Sequence, residues 1–293
     1  MRIIRFLEDD APVMGAVTDE GTVYRLACTD FLDLVKKAKV NQSTPLQWVR
    51  ESIRQSSPLR QTLADLHLLV PIDAPEVWAA GVTYERSKEA RNFEATGGNT
   101  NQVTVYDKVY EAPRPELFIK STSRRTVGPN QPIYLRSDSN WQIPEPELGL
   151  VIDQQGEILG FTIGNDMSCR DIEGENPLYL PQAKIWRHSC SIGPSILLAE
   201  SVADPYRFQI TCRIYRRGEK VVEGTASTGQ LKRKLHELIE YLIKDNQIFD
   251  GTVLLTGTCI VPPDDFTLLD GDRIEIEISD IGILSNPVKQ PAG

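Results

Sequence analysis

Histidine is scarce in this chain: among 293 residues there are three, His67, His188 and His236. His67 sits in an apolar run, Leu-His-Leu-Leu-Val, and His236 in a helix-like segment, where packing or surface roles are the ordinary ones. Chemistry therefore falls to carboxylates, lysine and a metal. Cysteine is nearly as sparse. Cys28, Cys169, Cys190, Cys212 and Cys259 show no Cys-x-x-Cys or Cys-x-Cys spacing, which argues against a zinc knuckle or a dithiol redox motif. Their odd number and wide separation suit reduced thiols in a cytosol. No run approaches about 18 apolar residues, so no membrane span is expected. The opening Met-Arg-Ile-Ile-Arg-Phe-Leu-Glu-Asp-Asp lacks the apolar core of a secretory signal, and the expected location is cytoplasmic. Positive charge is also short, with 32 Lys and Arg against 41 Asp and Glu and a net charge of −9. The basic groupings, Lys232-Arg233-Lys234 and the looser Arg213, Arg216 and Arg217, are too small for nucleic acid or an anionic membrane. An anionic small molecule stays open, because a bound cation reverses the sign of a pocket locally. No GxGxxG or GxxxxGK[ST] motif is present to support nucleotide binding.

What is present is ordinary for a globular protein: 40% hydrophobic and 25% charged residues. A chain of this length buries about three quarters of its unfolded surface and needs no disulfide to fold. Residues 3–7 and 13–25 read as short strands, 30–38 and 45–64 as helices, with Thr44-Pro45 as a helix start. The proline-marked Val70-Pro-Ile-Asp-Ala-Pro75 suggests a boundary near residue 70: a small N-terminal α+β domain, 1–70, and a larger domain, 71–293. The larger part is strand-rich, with candidates at 77–80, 116–120, 133–136, 147–153, 158–165, 194–199, 208–216, 252–256 and 273–279. A charged helix is expected over 84–93, a long one over 228–245 and a loop, open to a lid role, over 95–104. Helices do not alternate with strands, which argues for an α+β fold and against a doubly wound parallel sheet.

The segment Ile143-Pro-Glu145-Pro-Glu147-Leu-Gly-Leu-Val-Ile152 carries the most chemical information. Residues two apart on a strand share a face, so Glu145 and Glu147 repel one another unless a cation lies between them. The alternating prolines place them at a strand mouth, and the apolar run behind them reads as core. A second apolar strand runs into Asn165-Asp166-Met-Ser-Cys-Arg170-Asp171, so Asp166 can complete a three-carboxylate set. Oxygen ligands of this kind suit Mg²⁺ or Mn²⁺, with Ca²⁺ a further substitute. Lys184 follows, shortly ahead of Gly193-Pro194.

Taken in order, these pieces resemble the fumarylacetoacetate hydrolase superfamily over residues 75–288. Val77-Trp-Ala-Ala-Gly81-Val-Thr-Tyr84 is similar to its opening Gly-x-Asn-Tyr block, and Pro115-Glu116-Leu-Phe118-Ile-Lys120 to its Pro-x-x-Phe-x-Lys. Glu145-Pro-Glu147-Leu resembles the Glu-x-Glu-Leu strand. Asn165-Asp166-Met-Ser-Cys-Arg170-Asp171, Leu255-Thr256-Gly257-Thr258 and Leu269-Asp-Gly271-Asp272 resemble later blocks. The resemblance implies a mixed β-roll catalytic domain with a smaller N-terminal domain, and a homo-oligomer, dimer or tetramer. It also implies a divalent metal on Glu145, Glu147 and Asp166 and a substrate whose 2-oxo acid or 1,3-dicarbonyl group chelates that metal.

One departure bears on the reaction. Hydrolytic members carry a histidine three residues after the block's tyrosine; here that position is Ser87, which cannot act as a general base near neutral pH. The family's asparagine is replaced by Thr83. Tyr84-Glu-Arg86-Ser87, Arg114-Pro-Glu116-Leu-Phe118 and Asn176-Pro-Leu-Tyr-Leu-Pro-Gln-Ala-Lys184 are most similar to the 2-keto-3-deoxy-D-arabinonate dehydratases. This implies a hydro-lyase that removes water from a 2-keto-3-deoxy sugar acid to give 2,5-dioxopentanoate. Lys184 and Glu116 are the expected proton-transfer groups, with Lys184's pKa lowered by a nearby dication. Arg86 and Ser87 are expected to bind the sugar hydroxyls and Thr256 and Gly257 the substrate carboxylate. Lys120 and Arg170 are expected to secure the metal's surroundings. The alternatives are a C–C hydrolase or decarboxylase of acylpyruvate-like diketones and a non-catalytic keto-acid-binding protein.

Overall fold

In the computed structural model, which describes residues 1–96 and 104–291, the central strands are apolar on both faces because both faces are covered. Along Pro146–Ile152 every residue is buried. Leu148, Leu150 and Ile152 join one core, while Val151 joins the other. The first core lies between this sheet and a second one, and includes Ile210, Ile214, Ile276 and Leu284 together with Leu235, Leu238 and Leu242. The second core packs Val253, Leu255, Ile192 and Ile196 against Phe31, Leu34, Leu46 and Val49.

The described residues form an 11-stranded mixed sheet, a five-stranded sheet and a two-stranded one, with seven α-helices: α1 (Phe31–Val40), α2 (Pro45–Arg54), α3 (Glu85–Thr96), α4 (Val105–Glu111), α5 (Arg170–Glu175), α6 (Leu180–Lys184) and α7 (Leu235–Ile243). The large sheet runs from Val23–Arg25 through Ala11–Val17, Arg2–Glu8, Cys190–Leu198, Ile158–Asp166, Pro146–Ile152, Thr252–Leu255 and Val77–Gly81 to Glu116–Ser121. The pairing of Thr252–Leu255 with Val77–Gly81 is parallel, and most other pairings are antiparallel. The second sheet orders Glu219–Ser227, Gln209–Arg216, Arg273–Ile278, Gly282–Lys289 and Ile133–Tyr134. This is the strand-rich α+β architecture expected, with the N-terminal strand Arg2–Glu8 hydrogen-bonded to Cys190–Leu198.

Two helices and two strands differ from expectation. The helix read over 45–64 ends at Arg54; Pro58, four residues on, cannot continue one. The helix read over 228–245 is α7 alone, preceded by a 3-10 turn at Thr228–Gln230. The intervening residues serve tertiary contacts instead: the Lys232 N–H donates to the Thr83 carbonyl at 3.0 Å, and the Arg233 guanidinium donates to the carbonyls of Val109 and Pro113. Strands Glu219–Ser227 and Gly282–Lys289 were not anticipated. Of the loop expected over 95–104, residues 97–103 lie outside those described.

Candidate active site

Glu145 lies just ahead of Pro146–Ile152 and Glu147 within it; Asp166 ends the neighbouring strand. The register sets Pro146 opposite Asn165 and Glu147 opposite Gly164, and the Asp166 N–H donates to the Glu145 carbonyl at 3.0 Å. Two adjacent strand ends thereby bring three buried carboxylates together, with one ligand oxygen from each within 4.8 Å of the others. Burial, together with the charges of Asp166 and Glu145, pushes the Glu147 carboxyl well above its ordinary range. Burial acts in the same direction on Glu145. Asp166 moves the other way: Lys120 and Lys184 outweigh the effect of burial and hold it low. A set of hard oxygen donors that repel one another in this way fits a small divalent cation.

Lys184, the last residue of α6, points into this group. Its Nζ is 2.6 Å from Glu145 Oε2 and 3.2 Å from Asp166 Oδ2, and it donates to Ser168 Oγ at 2.6 Å. Burial alone lowers its pKa, but Asp166, Glu145 and Glu173 outweigh burial and hold the ammonium above its usual range. Lys120 Nζ lies 2.7 Å from Asp166 Oδ1 and donates to the carbonyls of Met167 and Lys184, tying α6 to Asp166. Arg170 Nη2 is 3.4 Å from Glu145 Oε1.

Glu116 begins the strand beside Val77–Gly81, directly across from Gly81. Any side chain at Gly81 would collide with it, since a Cβ there would lie 1.9 Å from Glu116 Oε2. That oxygen is buried without a hydrogen-bond partner among the described residues. Burial raises the Glu116 pKa, against the pull of Arg91.

The four residues expected to contact substrate make these contacts within the protein. Ser87 Oγ donates to the Tyr84 carbonyl at 2.7 Å and accepts from the Tyr84 N–H at 3.2 Å, closing the first turn of α3. Arg86 is exposed and pairs with Glu89 at 3.3 Å, an ordinary i,i+3 surface contact. The Thr256 hydroxyl donates to the Leu148 carbonyl at 3.0 Å. The Gly257 N–H donates to Glu147 Oε2 at 2.6 Å and so orients a carboxylate of the triad. Gly257 has φ +92°, and a Cβ there would lie 2.0 Å from Thr83 Oγ1, whose hydroxyl donates to the Thr256 carbonyl. His188, close to Lys184 in sequence, instead stacks on Tyr134 with ring centroids 4.9 Å apart.

Sequence reasoning missed two residues. Glu173 on α5 is buried, with Oε1 3.5 Å from Lys184 Nζ and 2.7 Å from Arg91 Nη2 on α3. No spacing rule joins residues so far apart, and only the packing of α3 on α5 brings them together.

Residues 77–289 match the family model described as fumarylacetoacetate (FAA) hydrolase, C-terminal, and the chain belongs to that family. Within it, the chain is 42% identical over 290 residues to the 2-dehydro-3-deoxy-D-arabinonate dehydratase of Saccharolobus solfataricus, covering 99% of this chain and 97% of that one. It is also 42% identical over 274 residues to a probable 2-keto-3-deoxyxylonate dehydratase of Haloferax volcanii, covering 92% and 93% of the two chains. A solved structure of 2-keto-3-deoxy-D-arabinonate dehydratase complexed with magnesium and 2,5-dioxopentanoate superposes with a TM-score of 0.84 at 38% identity, covering 100% of both chains. No helix among the described residues is long and apolar enough to cross a membrane.

Proposed function

We propose that this chain is a magnesium-dependent hydro-lyase that converts 2-keto-3-deoxy-D-arabinonate to 2,5-dioxopentanoate and water. The observation that carries the reading is the buried triad of Glu145, Glu147 and Asp166 with Lys184 Nζ between two of its members, in a chain matched end to end by dehydratases.

Charge supports the substrate class. Five carboxylates (Glu116, Glu145, Glu147, Asp166 and Glu173) stand beside four cations (Arg91, Lys120, Arg170 and Lys184). A dication turns that excess of one negative charge into an excess of one positive, the complement of a monocarboxylate. Glu145, Glu147 and Asp166 would hold the ion, which when bound supplies Lewis-acid polarisation of the 2-oxo group and so acidifies C3. Lys184 and Glu116 are the two proton-transfer groups. One takes the C3 proton while the other delivers a proton to the departing C4 hydroxyl. Gly257 fixes Glu147 and Lys120 fixes Asp166, so both ligands are preorganised. The five cysteines are free thiols, in keeping with a cytoplasmic location, and we place the enzyme there as a homo-oligomer.

The test is product analysis by NMR after incubation with a panel of 2-keto-3-deoxy acids, with Mg²⁺ and with EDTA. Magnesium-dependent 2,5-dioxopentanoate is expected. Rapid release of pyruvate from acylpyruvates, with no dehydration of any sugar acid, would overturn the reading in favour of C–C hydrolysis.

A further inference from the structure

Among the described residues, the Arg91–Glu173 pair has bonding capacity left unused. Arg91 reaches from α3, sits 5.3 Å from the ring centroid of Tyr106 on α4, and places Nη2 2.7 Å from Glu173 Oε1. Both side chains are at least nine-tenths buried, at 4% and 1% exposure. Yet Arg91 Nη1 is a buried donor with no hydrogen-bond partner among the described residues, and neither Glu173 oxygen accepts a well-directed hydrogen bond. Burying such groups unsatisfied is costly, and native proteins rarely do it without a reason. The pair stands at the triad's edge: Glu173 Oε1 is 3.5 Å from Lys184 Nζ, which is 2.6 Å from Glu145.

The chemistry of the pair defines what it can recognise. Arg91 and Glu173 largely neutralise each other, so the pair is a weak magnet for another full charge. It does present one free N–H donor beside one free carboxylate acceptor. That is the complement of a hydroxyl group, which accepts one hydrogen bond and donates another. A 2-keto-3-deoxypentonate carries two hydroxyls. The C4 hydroxyl leaves and must be met by a proton donor, a role already given to Glu116 or Lys184. The C5 hydroxyl stays.

Resting on the function proposed above, we infer that Arg91 and Glu173 bind the C5 hydroxyl of the substrate. The hydroxyl's later fate fits this role. Loss of C3–H and C4–OH as water leaves a C3=C4 double bond next to the C5 carbinol. C5 then gives up one C–H and its O–H proton while C3 and C4 each gain one hydrogen, so that C5 becomes the aldehyde with no external oxidant. The C5 oxygen changes from donor and acceptor to acceptor only. Its bond to Glu173 is therefore available to substrate and lost in product, which favours release.

The experiment compares a ligand that has the C5 hydroxyl with one that lacks it. KM for 2-keto-3-deoxy-D-arabinonate and the inhibition constant of 2-oxobutanoate are measured for the wild type, Arg91→Met and Glu173→Gln, all saturated with Mg²⁺. Both substitutions are expected to raise KM by roughly 10- to 100-fold, the worth of a hydrogen bond to a charged group, and to leave the inhibition constant within about threefold. A parallel rise in both constants would make the pair a general structural or electrostatic element and overturn the inference, as would an unchanged KM. If Arg91→Met does not melt cooperatively, the near-isosteric Glu173→Gln decides by the same ratio. A wild type that dehydrates no sugar acid would be a failure of the function, visible before any variant is made.

Discussion

At the scale of single residues, two glycines are as informative as the carboxylates they serve. Gly81 leaves the space that Glu116 fills, and Gly257 combines a left-handed φ with a donor bond to Glu147. Gly81→Ala is expected to displace Glu116 and lower kcat by about 10²-fold or more while Mg²⁺ affinity, read by calorimetry, is retained. Gly257→Ala is expected to weaken Mg²⁺ binding itself, by roughly 10- to 100-fold, because it disturbs the group that orients a ligand. Lys184→Met should leave binding of the keto acid largely intact and cut kcat by about 10²–10⁴-fold; poor binding with normal turnover at saturation would make Lys184 a binding group. Ser87→Ala has a different expected outcome. Its hydroxyl closes the first turn of α3, so the loss should appear as about 1 kcal/mol of stability in a denaturant melt, with KM unchanged.

At the scale of elements, legibility followed how local the determining contacts are. The shared face of Glu145 and Glu147 comes from the two-residue period of a strand, and the apolar run behind them comes from burial on both faces; both are local signals. Strand Glu219–Ser227 escaped notice because it is an edge strand with no fully buried residue, rich in polar side chains. The start of α7 was misplaced because the Lys232 N–H is committed to Thr83 and the Arg233 side chain to carbonyls around 109–113, which no window of sequence contains. Arg86, Ser87, Thr256 and Gly257 were read as substrate-binding groups. Their donors are used inside the protein, because a donor's partner is set by three-dimensional packing. We also propose that the division near residue 70 separates roles: residues 1–70 supply edge strands and the cover provided by α1 and α2, and residues 71–293 supply every group of the site. A fragment of 71–293 leaves Ile192, Ile196 and Val253 without that cover. It is expected to bind the apolar dye ANS and to lack a cooperative melt; a sharp melt would mark 71–293 as a self-sufficient folding unit.

At the scale of the whole molecule, the carboxylate cluster links acidity, metal and stability. Glu147 and Glu145 have raised pKa values in the buried cluster, so they favour the folded state below the ordinary value of 4.5, and that contribution is lost as pH rises through their elevated values. Asp166, held low by its lysines, contributes in the opposite sense: its share is present above 3.8 and lost as pH falls through its lowered value. A cation needs all three deprotonated, so magnesium uptake should release protons and stabilise more strongly as pH rises above the ordinary carboxylate range. Calorimetry in buffers of different ionisation enthalpy measures the proton release directly, and melting with and without Mg²⁺ across pH measures the stabilisation. A magnesium effect independent of pH, with no proton released, would show that the cluster is already fully ionised.

The double cover on strand Pro146–Ile152 has a consequence in time as well as in energy. With apolar layers on both sides, and with the Asp166 N–H bonded to the Glu145 carbonyl, the strand ends have little freedom to splay apart when no ion neutralises them. The like charges are then held close by the fold, and their repulsion lowers the free energy needed to open the sheet. Amide hydrogen exchange along 146–152 and 158–166 should therefore slow together on adding Mg²⁺, as one cooperative unit, although the backbone the ion meets is the one it leaves behind.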